Sequence, residues 1–223
     1  EKLIDTLDKN ISKYLWENQI LIPEIPVYKP GYKMKKKDIE QAHICMGIKG
    51  IPLDHEEYYA LSILSNIMGG SMSSRLFQRI REEKGLAYSV YSYTTSYVKD
   101  GVFAIYAGVN PKQLKEASKL MVEEVNLLRE KGVSEEELMT AKEQLKGNYI
   151  LSLESVSGRM ASIGKSQLLL KKVYTPDEVI ELINKVSMDD INKVIKRVTD
   201  INQYSAAVVA KGEVTFEELI TKN

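Results

Sequence analysis

The sequence predicts an α+β protein in which helices pack on one largely antiparallel sheet, and three observations carry that prediction. Residues 86–97 and 102–109 are rich in Tyr, Val and Thr and are separated by Asp100 and Gly101, a hairpin signal that pairs neighbouring strands antiparallel. Helical periodicities gather in runs before and after that hairpin instead of alternating singly with strands. The order is therefore strand, helices, hairpin, helices, strand, which excludes a doubly wound parallel sheet.

Each element follows from local chemistry. Leu3, Ile4, Leu7 and Ile11 keep helical spacing. Pro23, Pro26 and Pro30 then forbid helix and favour an extended connector. Ala42, Ile44, Met46 and Ile48 alternate with Gln41, His43, Cys45 and Gly47, the period of a central strand. Asp54 with Glu57 has capping-box spacing, and Ala60, Ile63, Leu64, Ile67 and Met68 form a helical stripe that Gly69 and Gly70 end. Residues 74–84 make a short helix stopped by Gly85. Asn110, Pro111 and Gln113 open the helix after the hairpin. From Ser134, the stripe Leu138, Ala141, Leu145, Tyr149, Leu153, Val156, Met160 and Ile163 describes one long helix or two stacked ones, with Gly147, Gly158 and Gly164 as candidate kinks. Thr175, Pro176 and Glu178 start another helix, Ser187 and Asp190 a further one, and residues 204–210 read as a closing strand.

Composition narrows the function classes. Among 223 residues, Lys plus Arg and Asp plus Glu both total 31, so no net field draws the chain to nucleic acid or an anionic membrane. No apolar run is long enough to span a bilayer, and no signal peptide is visible. The single cysteine, Cys45, excludes an internal disulfide and favours a cytoplasmic location. Residue 1 is Glu and the chain opens directly on helical spacing, so it reads as part of something longer.

The sequence holds only two histidines. His43 falls in the expected strand and His55 near the start of a helix, with no second histidine four residues away. His55 with Glu56 begins H-E-x-x-H, but position 59 is Tyr, and H-x-x-E-H fails because positions 58 and 59 are both Tyr. No metal ligands are assigned. No G-x-S-x-G motif occurs, Cys45 reads as core, and Gly69, Gly70 and Ser71 lack the lysine of a phosphate loop.

The informative stretch is residues 69–90, which contains Gly69, Gly70, Ser71, Arg75, Arg79, Arg81, Gly85 and Tyr88. Gly85 ends the helix just after Arg81, and the chain reverses into a strand carrying Tyr88, so both side chains are free to point the same way. Arginine offers a planar fork of donors for a carbonyl or carboxylate, and a tyrosine hydroxyl donates to an oxyanion. The alternative for Arg81 is a solvated pair with Glu82 or Glu83, with Tyr88 packed in the sheet.

With residues 41–47, 100–108 and 134–154, Arg159 and Met160, this stretch closely resembles the C-terminal domain of the insulinase, pitrilysin and mitochondrial processing peptidase family. The likeness covers residues 41–209. Members of the family are clamshells of two related halves, in which an inverted H-x-x-E-H on the N-terminal half holds zinc. The resemblance implies that Arg81 and Tyr88 match an Arg and Tyr that reach the bound peptide. Gly69, Gly70 and Ser71 resemble, in shortened form, a glycine-rich substrate loop of the family. Arg75, on a basic helix face whose default reading is solvated or chamber-lining, and Tyr91, in a strand row of tyrosines whose default reading is sheet packing, are the further substrate-binding candidates.

The resemblance also implies a domain plan: residues 1–19 a terminal helix of a preceding half, 20–37 a linker, 38–212 the C-terminal domain and 213–223 a terminal segment. Zinc is then expected in the complete enzyme and on the N-terminal half or subunit, none on this chain, which is inactive alone. The expected partners are that zinc-bearing half and a peptide substrate, with a homodimer open. Two other roles stay open: a natural non-catalytic subunit holding peptide for a separate zinc subunit, and a structural relative with no protease role.

Overall fold

The computed structural model describes residues 1–12 and 24–220. Residues 13–19 of the expected terminal helix and 20–23 of the expected linker lie outside the described residues, as do 221–223. One five-stranded sheet in the order β1-β5-β2-β4-β3 organises the chain. Its strands are β1 (Tyr32–Lys36), β2 (Ala42–Lys49), β3 (Ala87–Ser96), β4 (Gly101–Val109) and β5 (Ser205–Ala210). The pairings β2–β4, β3–β4 and β2–β5 are antiparallel. The pairing of β1 with β5 is parallel, so the sheet is mixed at one edge.

β1 lies within the stretch expected as a linker. The prolines at 23, 26 and 30 hid it, because they bar helix without barring an edge strand. Lys33 and Lys35 point away from the core while Tyr32 and Met34 pack against it, an alternation only five residues long.

Helices back one face of the sheet. α2 (Tyr58–Gly69) lies on β3, and α3 (Leu114–Lys131) lies on β2 and β4. α4 (Glu135–Ser152) and α7 (Met188–Val198) pack on α2, and α6 (Pro176–Lys185) packs on α4. Ile44, Met46, Phe103 and Ile105 from the sheet meet Ile63, Leu64, Met68 and Met121 from the helices in a core that excludes water. The sequence signals act as read at three starts: Ser134–Glu137, Thr175–Glu178 and Ser187–Asp190 each close both arms of a capping box.

One local expectation fails, and a second is met in its two-helix form but not at the glycines. Asp54 and Glu57 form no capping box, because α2 begins at Tyr58 and Glu57 turns instead toward Arg197 at 2.9 Å. The Ser134 stripe divides at residues 153–155, not at a glycine, into α4 and α5 (Val156–Lys165). Leu138 and Ala141 are buried, whereas Val156 is 85% exposed and Met160 70%, so periodicity names an apolar face without saying what covers it. A short α1 (Lys2–Ile11) and α8 (Phe216–Leu219) complete the chain.

Among the described residues no helix is long and apolar enough to cross a membrane.

Candidate peptide-binding face

Residues 75–83 form a short helical segment whose stretch Phe77–Glu83 winds as a π-helix, a geometry that admits one extra residue and often accompanies functional sites. Leu76 and Ile80 anchor it in the core. Gly85 then adopts φ +61, a left-handed value that disfavours any side chain, and the Leu86 N–H bonds back to the Ile80 carbonyl. The chain thus reverses directly into β3.

The first residues of β3 contain an irregularity. Ala87 pairs with Val109 and Ser89 with Gly108, so Tyr88 is an extra residue, a bulge of the kind that re-aims a side chain. Tyr88 is 75% exposed. Arg81 reaches it: Nη1 donates to the Tyr88 carbonyl at 2.8 Å, and the guanidinium carbon lies 5.3 Å from the Tyr88 ring centre and 4.8 Å from that of Phe77. Two aromatic rings and one backbone acceptor therefore hold the fork in place. Glu82 stands at 4.0 Å from Nε, the outer limit of an ion pair, so the Glu82 alternative is a minor contact.

The other arginines of this segment face elsewhere. Arg75 forks onto both oxygens of Glu137 at 2.6 and 2.8 Å and also donates to the Gly132 carbonyl. Arg75 holds the Glu137 carboxyl below its usual range, and its donors clamp the segment to α4. Arg79 binds Glu123 and Glu124 of α3 in the same manner. Gly69 is buried, and a Cβ there would stand 2.2 Å from the Ser92 backbone nitrogen, so its lack of a side chain lets α2 approach β3. Gly70 is exposed, and Ser71 bonds Ser73 in the following loop.

Arg81 and Tyr88 border the sheet face that no helix covers among the described residues. Cross-strand register puts Cys45, Tyr106 and Tyr91 side by side on that face, and His43 beside Gly108 one row nearer Arg81. Tyr91 and Tyr106 rings lie 4.9 Å apart, and Tyr91 and Tyr93 rings 6.0 Å. His43 Nδ1 and the Tyr106 hydroxyl share a hydrogen bond of 2.7 Å. Tyr93 sits 3.6 Å from Cys45 Sγ, and that neighbour together with partial burial pushes its phenol up to about 12. Tyr93 is therefore a neutral donor at neutral pH. Tyr97 lies just past the strand end and is also exposed.

Among the described residues the two histidines lie apart, His43 bonded to Tyr106 and His55 Nδ1 accepting from the Glu57 N–H in a different part of the fold, so they do not form a shared tetrahedral donor set. Among the described residues no group of three His, Cys, Asp or Glu side chains gathers.

The chain is thus a mixed sheet backed by helices on one face, with an Arg–Tyr pair at the border of the other. The family model described as Peptidase M16 inactive domain matches residues 1–145, and the chain belongs to that family. It is 40% identical over 210 residues to an uncharacterized zinc protease, YmxG, of Bacillus subtilis, covering 94% of this chain and 51% of the relative. It is 39% identical over 159 residues to another from Streptomyces coelicolor, covering 71% of this chain and 35% of the relative. The fold is shared with a protease from Helicobacter pylori at TM-score 0.78 and 22% identity, over 93% of this chain and 52% of that one. A peptidase M16 inactive domain from Pseudomonas fluorescens matches with TM-score 0.78 and 19% identity, over 96% of this chain and 52% of that one. The chain spans about half the length of these relatives or less.

Proposed function

We propose that this chain is the peptide-holding part of a zinc-dependent peptidase whose zinc site resides on a preceding half or separate subunit. The observation that supports this reading most is the Arg81–Tyr88 arrangement: a guanidinium fixed between Phe77 and Tyr88, with Tyr88 lifted by a bulge onto the bare sheet face. In the complete protein a zinc-activated water would attack the peptide bond. This chain's share is positional. The guanidinium donors of Arg81 not engaged by Tyr88 orient a substrate carbonyl, and the Tyr88 hydroxyl donates to the oxyanion that develops as that bond is attacked. Gly69 and Arg75 serve this site by placing the segment, Gly69 through close packing and Arg75 through Glu137. Tyr91 belongs to the aromatic wall beside it.

The test uses the complete zinc-bearing protein with Arg81→Ala and Tyr88→Phe. Each is expected to lower turnover by about 100-fold, the order of effect of removing one preorganised oxyanion donor, with zinc content and thermal midpoint unchanged. Turnover at the unsubstituted rate in both variants would remove the assignment.

A further inference from the structure

The bare face carries charge of one sign. The five strands contain no Asp or Glu, while Lys33 and Lys35 point outward from β1 in register with Ala207 and Val209 of β5. Among the described residues neither lysine has a carboxylate within 4.0 Å. Of the acids near the sheet, Asp100 pairs with Lys49 at 3.6 Å and Glu213 with Lys36 at 3.7 Å, while Glu82 stands only at the 4.0 Å limit from Arg81. The face is therefore cationic at both lateral edges: Lys33 and Lys35 on β1, and Arg81 beside β3. Between them the floor is low, because Ala207, Gly47 and Gly108 present little or no side chain. The Tyr91–Tyr106 ring pair stands as a wall on the β3 side. Strands about 4.8 Å apart put β1 roughly 19 Å from β3, the span of about six residues of extended peptide.

Resting on the peptide-holding role given above, we propose that this face selects acidic peptide segments that carry an aromatic or large apolar residue. The aromatic side chain stacks on Tyr91 and Tyr106, while flanking carboxylates reach Lys33 or Lys35 on one side and Arg81 on the other. A lysine-rich segment would meet cations at both edges with no carboxylate on the strands to answer it. The preference is electrostatic and solvent-exposed, so it is strongest at low ionic strength.

Fluorescence anisotropy on the purified chain tests this with three labelled peptides of about ten residues, Glu-rich, uncharged and Lys-rich, each with one central Phe. At about 20 mM salt the Glu-rich peptide is expected to bind about tenfold more tightly than the Lys-rich one, and the gap should narrow toward unity at about 0.5 M. Lys33→Glu combined with Lys35→Glu should invert the order, while Tyr91→Ala weakens all three peptides alike. If the glutamate pair unfolds the chain, glutamine at both positions must narrow the preference instead, leaving the part that Arg81 supplies. Equal or tighter binding of the Lys-rich peptide, an order unchanged by the lysine substitutions, or no binding of any peptide overturns the inference. Its failure is separable from that of the catalytic assignment. An acidic preference beside normal turnover in Arg81→Ala and Tyr88→Phe sinks only the assignment, and the reverse pattern sinks only the preference.

Discussion

Gly69 and Gly147 show how differently one residue type acts in this chain. At Gly69 an added Cβ would meet the Ser92 nitrogen at 2.2 Å and the Tyr91 carbonyl carbon at 2.8 Å, both of them backbone that cannot swing aside. Gly69→Ala is therefore expected to destabilise by about 2 to 3 kcal/mol through overpacking. At Gly147, inside α4, nothing lies within 4 Å of an added Cβ, and the helix gains from alanine. Gly147→Ala should stabilise by about 0.5 to 1 kcal/mol. Chemical denaturation of the two variants reads opposite signs, and a destabilised Gly147→Ala or a neutral Gly69→Ala would contradict the packing described here. The same scale explains Arg81 and Arg75. Both are helical arginines six residues apart, yet one fork is spent on Glu137 and the other is stacked beside the bare face.

At the scale of elements, helix starts hold part of the acid stability. The Ser187 backbone N–H, the Ser187 hydroxyl and Lys193 together pull the Asp190 carboxyl down to about 2, below its ordinary 3.8. Glu137 is also lowered, chiefly by Arg75. Carboxyls depressed in the folded chain stabilise it fully above their unfolded values, and that stability is lost as pH falls through the folded ones. The urea midpoint is expected to fall between about pH 5 and pH 2, and Asp190→Asn should flatten the lower part of that decline. Ser187→Ala should cost about 1 kcal/mol at neutral pH. An acid limb identical in Asp190→Asn and the unsubstituted chain would remove Asp190 from this account.

At the scale of the whole molecule, apolar side chains are exposed among the described residues: Leu3, Ile4 and Leu7 along α1, and Val156, Met160 and Ile163 along α5. Patches of this kind on a folded chain mark contact with further polypeptide. If water activation and peptide holding reside on separate halves, catalysis requires both within reach of one peptide. The purified chain is then expected to cleave no peptide by itself, and mixing it with a zinc-bearing N-terminal half should restore measurable cleavage. The same mixture carrying Arg81→Ala and Tyr88→Phe should stay inactive although the halves associate. Chelator-insensitive cleavage by this chain alone would place the chemistry elsewhere.

Much of this architecture is legible without coordinates because it depends on neighbours in sequence. The capping boxes at Ser134, Thr175 and Ser187, the hairpin at Asp100 and Gly101 and the reversal at Gly85 are local rules, satisfied within a few residues. The closeness of Arg81 and Tyr88 was legible for the same reason, since one glycine turn separates them. What the tertiary structure decided depends on residues far apart. β1 exists because β5, more than 160 residues later, offers it a parallel edge, and Arg75 leaves the candidate site because Glu137 comes within 2.6 Å. The bulge that exposes Tyr88 appears only in the register with β4. The one-sided charge of the bare face arises only when Lys33, Lys35 and Arg81 are brought onto one surface, for the sequence as a whole is electrically balanced. Local rules act through hydrogen bonds a few residues long, whereas faces, registers and long-range ion pairs are properties of the folded sheet.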